Sequence, residues 1–254
     1  MRFALLGSGS EGNALVVQVG ATTLLMDCGF SVTETLTRLA RLGLCAEQFN
    51  GILVTHEHSD HIAGVARLAR KFNLPVWMTH GTARFQQHAF ADIRVHELNP
   101  HQAFSINDIE VQPILVPHDA GEPVQYTFSD GAHKLGVLTD TGHATAHIQT
   151  LLSGCAALVL ECNHDAEMLL NGRYPASLKQ RVGGRLGHLN NQQSADLLAG
   201  LDNTRLQHIV AAHLSQQNNR SELAVSALSQ VLNCEREWVA VADQKLGLDW
   251  REIA

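Results

Sequence analysis

No stretch of this sequence approaches 18 consecutive apolar residues, and Met1-Arg2 leads straight into a short apolar run with no signal-peptide pattern. Neither a membrane span nor a secretory leader is expected, and the reading is a cytoplasmic protein. Cysteine is sparse: Cys28, Cys45, Cys155, Cys162 and Cys234 are scattered, odd in number and form no C-x-x-C pair. That excludes a disulfide framework and fits reduced, mostly buried thiols. Positive charge is short as well, with 18 Lys and Arg against 25 Asp and Glu and a formal net charge of −7. Such a balance argues against wrapping nucleic acid or an anionic membrane wholesale, although a few placed cations suffice for a local phosphate patch. No repeat, low-complexity tract or linker interrupts the chain. Its 254 residues, 45% hydrophobic, suffice to bury a sizeable core in one domain over residues 1–254.

Histidine is what the sequence has in excess. There are fifteen, several of them at the ends of apolar runs, and imidazole is the commonest side-chain ligand for zinc-like metals. The apolar runs themselves are short and β-type in the first half. Phe3–Leu6, Ala14–Val17 and Thr23–Met26 read as three early strands, and Gly51–Thr55 and Pro75–Met78 as two more. Ile109–Val116, Val124–Phe128 and Lys134–Leu138 form a second group. Leu158–Leu160, Ile209–Ala211, Trp238–Val241 and Leu246–Trp250 complete the strands. Helical periodicity marks 32–42, 62–72, 191–201 and 221–231. Two groups of strands with interspersed helices imply an α/β fold, two sheets face to face and covered by helices, an αββα four-layer sandwich.

The strongest chemical signal is Thr55-His56-Glu57-His58-Ser59-Asp60-His61, which follows an apolar strand and precedes a helix. Four ligand-type residues in six positions at a strand's carboxyl end are a poor match for an accidental polar loop. His56 and His58, one residue apart, can converge on one ion, and the Asp60-His61 pair can serve a neighbour. Three later strand ends carry similar residues: His118-Asp119 after Val116-Pro117, Asp140 in Leu138-Thr139-Asp140-Thr141-Gly142, and His213 in Ala211-Ala212-His213-Leu214-Ser215. Taken singly, His118 reads equally as a strand-end histidine beside Asp119, Asp140 as a turn residue, and His213 as a helix-start histidine. Their order and placement after the first cluster favour metal.

The H-x-H-x-D-H run resembles the signature of the metallo-β-lactamase superfamily, and the resemblance extends along nearly the whole chain. It implies one ion on His56, His58 and His118 and a second on Asp60, His61 and His213, with Asp140 bridging. Asp27, in Leu25-Met26-Asp27-Cys28-Gly29, is implied to brace the metal loop without binding metal. Nitrogen and oxygen donors suit two divalent ions, zinc first, with manganese and iron compatible. Only 47 residues separate Asp140 from His188, too few for a β-CASP cap.

Three further segments bear on the substrate. Ser8, Ser10 and Asn13 lie in the turn Gly7-Ser8-Gly9-Ser10-Glu11-Gly12-Asn13, which reads as a tight β-turn or as a phosphate-facing loop. Glu161-Cys162-Asn163-His164-Asp165 resembles the strand-end acidic and histidine segment of phosphodiesterases of this superfamily, with plain surface polarity as the alternative for His164. Gly187-His188-Leu189-Asn190 resembles a Gly-His-Leu-Ser/Asn motif whose histidine contacts the scissile phosphate or protonates the leaving oxygen; His188 could instead cap the following helix. Arg173, Lys179, Arg181 and Arg185 gather positive charge just upstream.

With Asn218 after the last ligand position, these motifs resemble the YycJ/WalJ group of small metal-dependent nucleases, over roughly residues 3 to 220. Asn190 stands where serine is common in that group, and Cys162 where a small polar residue is usual. The resemblance implies 5′-to-3′ exonuclease action on DNA, a nucleic-acid partner in the form of a single strand or a 5′ end, and no stable protein partner. In the implied mechanism a hydroxide held between two ions attacks phosphorus. Asp60 and Asp140 orient it, and His188 holds an oxygen or donates a proton. The Ser8–Asn13 turn, Arg185 and Asn218 are expected along the groove. A small-molecule hydrolase of the same fold, a cyclic phosphodiesterase or thioesterase, is the competing expectation.

Overall fold

Successive residues of a strand face opposite ways, so an apolar run that stays apolar at every position demands cover on both faces. The computed structural model, which describes residues 1–254, supplies it. The chain first lays down β1 (Arg2–Gly7), β2 (Ala14–Val19) and β3 (Thr22–Met26), then helix α1 (Val32–Arg41) and β4 (Gly51–Leu53). Next come α2 (Ser59–Ile62), α3 (Val65–Phe72), β5 (Val76–Thr79), α4 (His80–Phe85) and β6 (Val95–Leu98). The second half holds β7 (Phe104–Ile106), β8 (Ile109–Leu115), β9 (Val124–Ser129), β10 (Lys134–Leu138), α5 (Ala146–Leu152) and β11 (Ala157–Glu161). It closes with α6 (Ala166–Asn171), α7 (Ala176–Val182), α8 (Asn191–Ala199), β12 (His208–Ala212), α9 (Ser221–Leu232), β13 (Val239–Val241) and β14 (Leu248–Glu252).

These strands form two seven-stranded sheets, ordered β14-β1-β2-β3-β4-β5-β6 and β13-β12-β11-β10-β9-β8-β7. Phe3, Leu15, Val17, Leu24 and Met26 of the first sheet meet Val111, Tyr126, Phe128, Val159 and Val210 of the second in the central core. The alternate residues Val16, Leu25 and Ile52 pack under α1 and α3 through Leu39, Val65 and Leu68. On the opposite side Leu158, Leu160 and Ile209 pack under α5, α8 and α9 through Ile148, Leu197 and Leu228. The architecture is the αββα sandwich. No helix is long and apolar enough to cross a membrane.

Each sheet is antiparallel at one end and parallel at the other. β3, β4, β5 and β6 run parallel, as do β10, β11, β12 and β13. Ligands in open α/β sheets bind in the crevice beyond the carboxyl ends of parallel strands, and both sheets present such ends.

The helix expected over 62–72 is in fact two pieces, α2 and α3. They break at Gly64, where a Cβ would lie 1.9 Å from the Phe30 carbonyl oxygen. Strand β13 begins after Trp238, which belongs to a short 3₁₀ turn, and β14 begins at Leu248. The hydrophobic pattern does not signal α4 to α7, β6 or β7.

Candidate metal centre

Three of the strand ends turn in the same way. Asp27 after β3, Asp140 after β10 and His213 after β12 have φ of 60°, 52° and 55°, the left-handed region that non-glycine residues rarely occupy. Such strain persists only where the surroundings fix it, and it gathers at functional sites. In the β4 loop, His58 is the extended N-cap of α2, and Asp60 and His61 occupy that helix's single turn. Gly29 lets this turn approach β3, since a Cβ there would sit 2.0 Å from the Asp60 carbonyl oxygen.

The ligand-type atoms of His56, His58 and His118 lie within 4.8 Å of one another, and those of Asp60, His61 and His213 form a second such set. In the first set, His118 Nε2 is 3.2 Å from His58 Nδ1. In the second, Asp60 Oδ2 is 3.4 Å from His61 Nε2 and 3.6 Å from His213 Nε2. Asp140 joins them: its Oδ2 is 3.1 Å from His61 Nε2 and 3.0 Å from His213 Nδ1, and it also groups with His56.

Hydrogen bonds on the far side of the rings aim the free nitrogens. His118 Nδ1 donates to the Gly187 carbonyl at 3.1 Å, leaving Nε2 for the site. Asp27 Oδ2 accepts from His61 Nδ1 at 2.7 Å and from the Thr55 hydroxyl at 2.8 Å, while Oδ1 accepts the Thr55 N–H. With its proton committed to Asp27, Thr55 Oγ1 accepts from His56 Nδ1 at 3.0 Å. Orientation by such outer partners is how metal-binding histidines are usually held.

The donor set fits divalent metal. His56 Nε2, Asp140 Oδ2 and His213 Nδ1 are buried without a hydrogen-bond partner, although the last two stand 3.0 Å apart. Buried polar atoms are seldom left so, and cations held by the donor groups to which His56, Asp140 and His213 belong would satisfy them. The charge balance agrees. Burial, and then the nearby His61, holds His56 well below the usual imidazole range. Burial opposes ionisation of Asp140, yet His213 and His61 outweigh it and hold that carboxyl well below its ordinary value. Burial likewise works against His61, but the carboxylates of Asp140, Asp27 and Asp60 raise it well above the ordinary value.

The model for the "Beta-lactamase superfamily domain" matches residues 22–213. Exodeoxyribonuclease YycJ of Bacillus anthracis is 41% identical over 91% of this chain and 89% of its own length. The chain belongs to the YycJ/WalJ group of the metallo-β-lactamase superfamily. Exodeoxyribonuclease WalJ of Streptococcus pneumoniae is 32% identical over 98% of this chain and 92% of its own. Among solved structures, Zn²⁺-bound PqqB of Methylobacterium extorquens superposes with a TM-score of 0.74 over 99% of this chain and 100% of that one, at 16% identity.

In this metallo-β-lactamase fold a cleft of about 410 Å³ opens over the donors, and Asp60, Asp140, His188 and His213 are among the residues that line it. The fully buried Glu161 lies behind it. Its Oε1 accepts from Asp140 N–H at 3.1 Å and His188 Nδ1 at 2.8 Å, and its Oε2 from the N–H groups of Thr141 and Leu189 at 3.1 Å each. Burial resists charge on His188, but Glu161 outweighs it and raises the imidazole to about 9. Sequence reasoning quoted Glu161 only as part of a polar segment. A carboxylate ending a fully apolar strand was the available signal.

Of the residues expected along a substrate groove, Ser10 and His188 line the cleft. The others are placed elsewhere. Ser8 is buried and its hydroxyl accepts the His213 N–H at 2.8 Å. Asn13 is buried against Gly9 and Asp60. His164 is buried beside Asn163, and burial first among several causes lowers it to about 4. Asn218 is buried under Gly172, where a Cβ would lie 2.4 Å from its Oδ1. The Arg185 side chain is exposed outside the cleft lining, and the cation that lines it is Arg181, whose Nε is 2.6 Å from Asp119 Oδ2. Tyr174, Leu178 and Val182 also line the cleft, and no sequence pattern singled them out.

Proposed function

We propose that this chain is a metal-dependent 5′-to-3′ exonuclease that hydrolyses phosphodiester bonds of DNA at a centre of two divalent ions, zinc by first preference. The observation that supports the reading is the placement of Asp140, whose carboxylate groups with His56 of one donor set and His61 of the other and whose Oδ2 is buried without a hydrogen-bond partner. The exodeoxyribonuclease names of two relatives that match nearly full length support the substrate class. The Zn²⁺-bound state of PqqB supports the choice of metal.

His56, His58 and His118 would hold one ion and Asp60, His61 and His213 the other, with Asp140 common to both. When bound, the ions acidify water and neutralise charge on phosphate. The protein's own part is orientation and proton transfer. Asp60, 21% exposed at the cleft floor, can accept a hydrogen bond from an attacking water. His188 Nδ1 is committed to Glu161, so Nε2 is free to donate to a non-bridging phosphate oxygen or to the leaving oxygen. Glu161 favours the protonated form of that ring and holds it in one orientation, as a positioning residue.

Degradation of 5′-labelled and 3′-labelled single-stranded DNA by the reconstituted protein, beside Asp140→Asn, tests the reading. Short products from the 5′ end that require Asp140 are expected. Intact strands from a metal-loaded wild type would overturn it. The compact cleft also suits a small phosphodiester, and hydrolysis of bis-(p-nitrophenyl) phosphate with no strand degradation would favour that second reading.

A further inference from the structure

The segment from Tyr174 to Val182 lines the cleft with apolar side chains that have no place in the core. Leu178 and Val182 are four residues apart on α7 and so share one helical face, and Tyr174, just before the N-cap Pro175, continues the same side. All three line the same cleft as Asp60, Asp140, His188 and His213, and no residue of α7 is buried. An amphipathic helix ordinarily turns its apolar face to the core; this one turns it to the catalytic cleft.

The wall is also held firmly. Arg181 Nε is bonded to Asp119 Oδ2 at 2.6 Å, Lys179 Nζ donates to the Leu170 carbonyl at 2.6 Å, and the Gly187 carbonyl accepts from His118 Nδ1. A phosphate between the donor sets gains nothing from an apolar wall. The part of a nucleotide that does is its base, and an aromatic ring beside two aliphatic side chains is a sequence-tolerant stacking surface. The cleft of about 410 Å³ lies near the lower end of the roughly 300–1,000 Å³ typical of small-ligand sites, a size for one nucleotide and not for a duplex.

We infer that Tyr174, with Leu178 and Val182, forms the platform on which the base of the nucleotide being cleaved lies, so that the enzyme takes a strand end whose terminal base is unpaired. A cleft of about 410 Å³ seats one base against Tyr174 without its complement, so that base is unpaired while it is held. A blunt duplex end must therefore fray before it is cut. The inference rests on the nuclease reading above and adds to it the form of the substrate.

The test pairs two single-stranded oligonucleotides, identical except for an abasic residue at the end from which degradation proceeds. Wild type, Tyr174→Ala, Tyr174→Phe and Leu178→Asp are compared by kcat/KM, and by fluorescence anisotropy on chelator-stripped protein. Loss of the base should cost wild type about 5- to 100-fold. Tyr174→Phe should keep that discrimination. Tyr174→Ala should treat both oligonucleotides nearly alike, at the abasic level, and Leu178→Asp should reduce the discrimination. The platform is overturned if wild type ignores the missing base, or if Tyr174→Ala discriminates as well as wild type. Cleavage of neither oligonucleotide by metal-loaded wild type would remove the nuclease reading itself, and this inference with it.

Discussion

Asp27 and His61 meet through Oδ2 and Nδ1 at 2.7 Å, with 3% and 1% of their side chains exposed. The bond joins the end of β3 to the turn of α2 and leaves His61 Nε2 as the atom that faces Asp140 and Asp60. Asp27→Ala removes the carboxylate that accepts from three buried donors, His61 Nδ1, the Thr55 hydroxyl and the Thr55 N–H, and leaves His61 Nδ1 only the Thr55 hydroxyl oxygen at 3.3 Å. Metal affinity is expected to fall about 10- to 100-fold, measured by competition with a chelator. The metal-free chain should lose about 1–3 kcal/mol, read from its denaturant midpoint. An unchanged affinity would mean that Asp27 does not orient the ligand.

The pairing of Glu161 with His188 yields a signed pH prediction. A neighbouring carboxylate favours the protonated imidazole, and replacing it by an amide removes that bias. If His188 acts with its proton on, Glu161→Gln should move the alkaline limb of the kcat/KM profile to lower pH. Ions in the site depress the imidazole in both proteins and leave the direction unchanged. Metal content should remain that of wild type for both Glu161→Gln and His188→Ala. Loss of an ion from His188→Ala would instead make His188 a ligand.

Thiol chemistry checks the layering. Burial pushes Cys28 up to about 11 and Cys155 and Cys162 up to about 12, whereas Cys45 is exposed and Cys234 half-buried. A thiol-specific reagent at pH 8 should titrate Cys45 quickly, Cys234 more slowly and the other three only after denaturation, because the thiolate is the reactive form. Rapid reaction at Cys28 or Cys162 in the native protein would contradict the packing beside the metal loops.

Much of the centre was legible because metal binding concentrates rare residue types in short windows. His56 to His61 compresses four donor-type residues at a strand end, and the left-handed turns at Asp140 and His213 again place donor types directly after apolar runs. The segment from Tyr174 to Val182 was not legible. Helix α7 has three apolar residues in seven, one of them an alanine, too few for its periodicity to stand out, and Tyr174 is a lone aromatic before a proline. Edge strand β6 is mostly exposed, so its pattern resembles a loop. Ser8, Asn13 and Asn218 illustrate a different limit. Small polar side chains serve equally as groove walls and as buried hydrogen-bonding pins, and only the fold tells the two apart. Arg181 and Arg185 are four residues apart, the first in α7 and the second beyond its C-cap Gly183, and sequence alone does not decide which faces the cleft.

The number of divalent ions held per chain tests the central claim most directly. After reconstitution and desalting, elemental analysis of the wild-type protein should find two ions per chain, as two donor sets sharing Asp140 require. One ion or none, in protein shown to be folded, would contradict a two-ion centre and the hydrolytic role drawn from it.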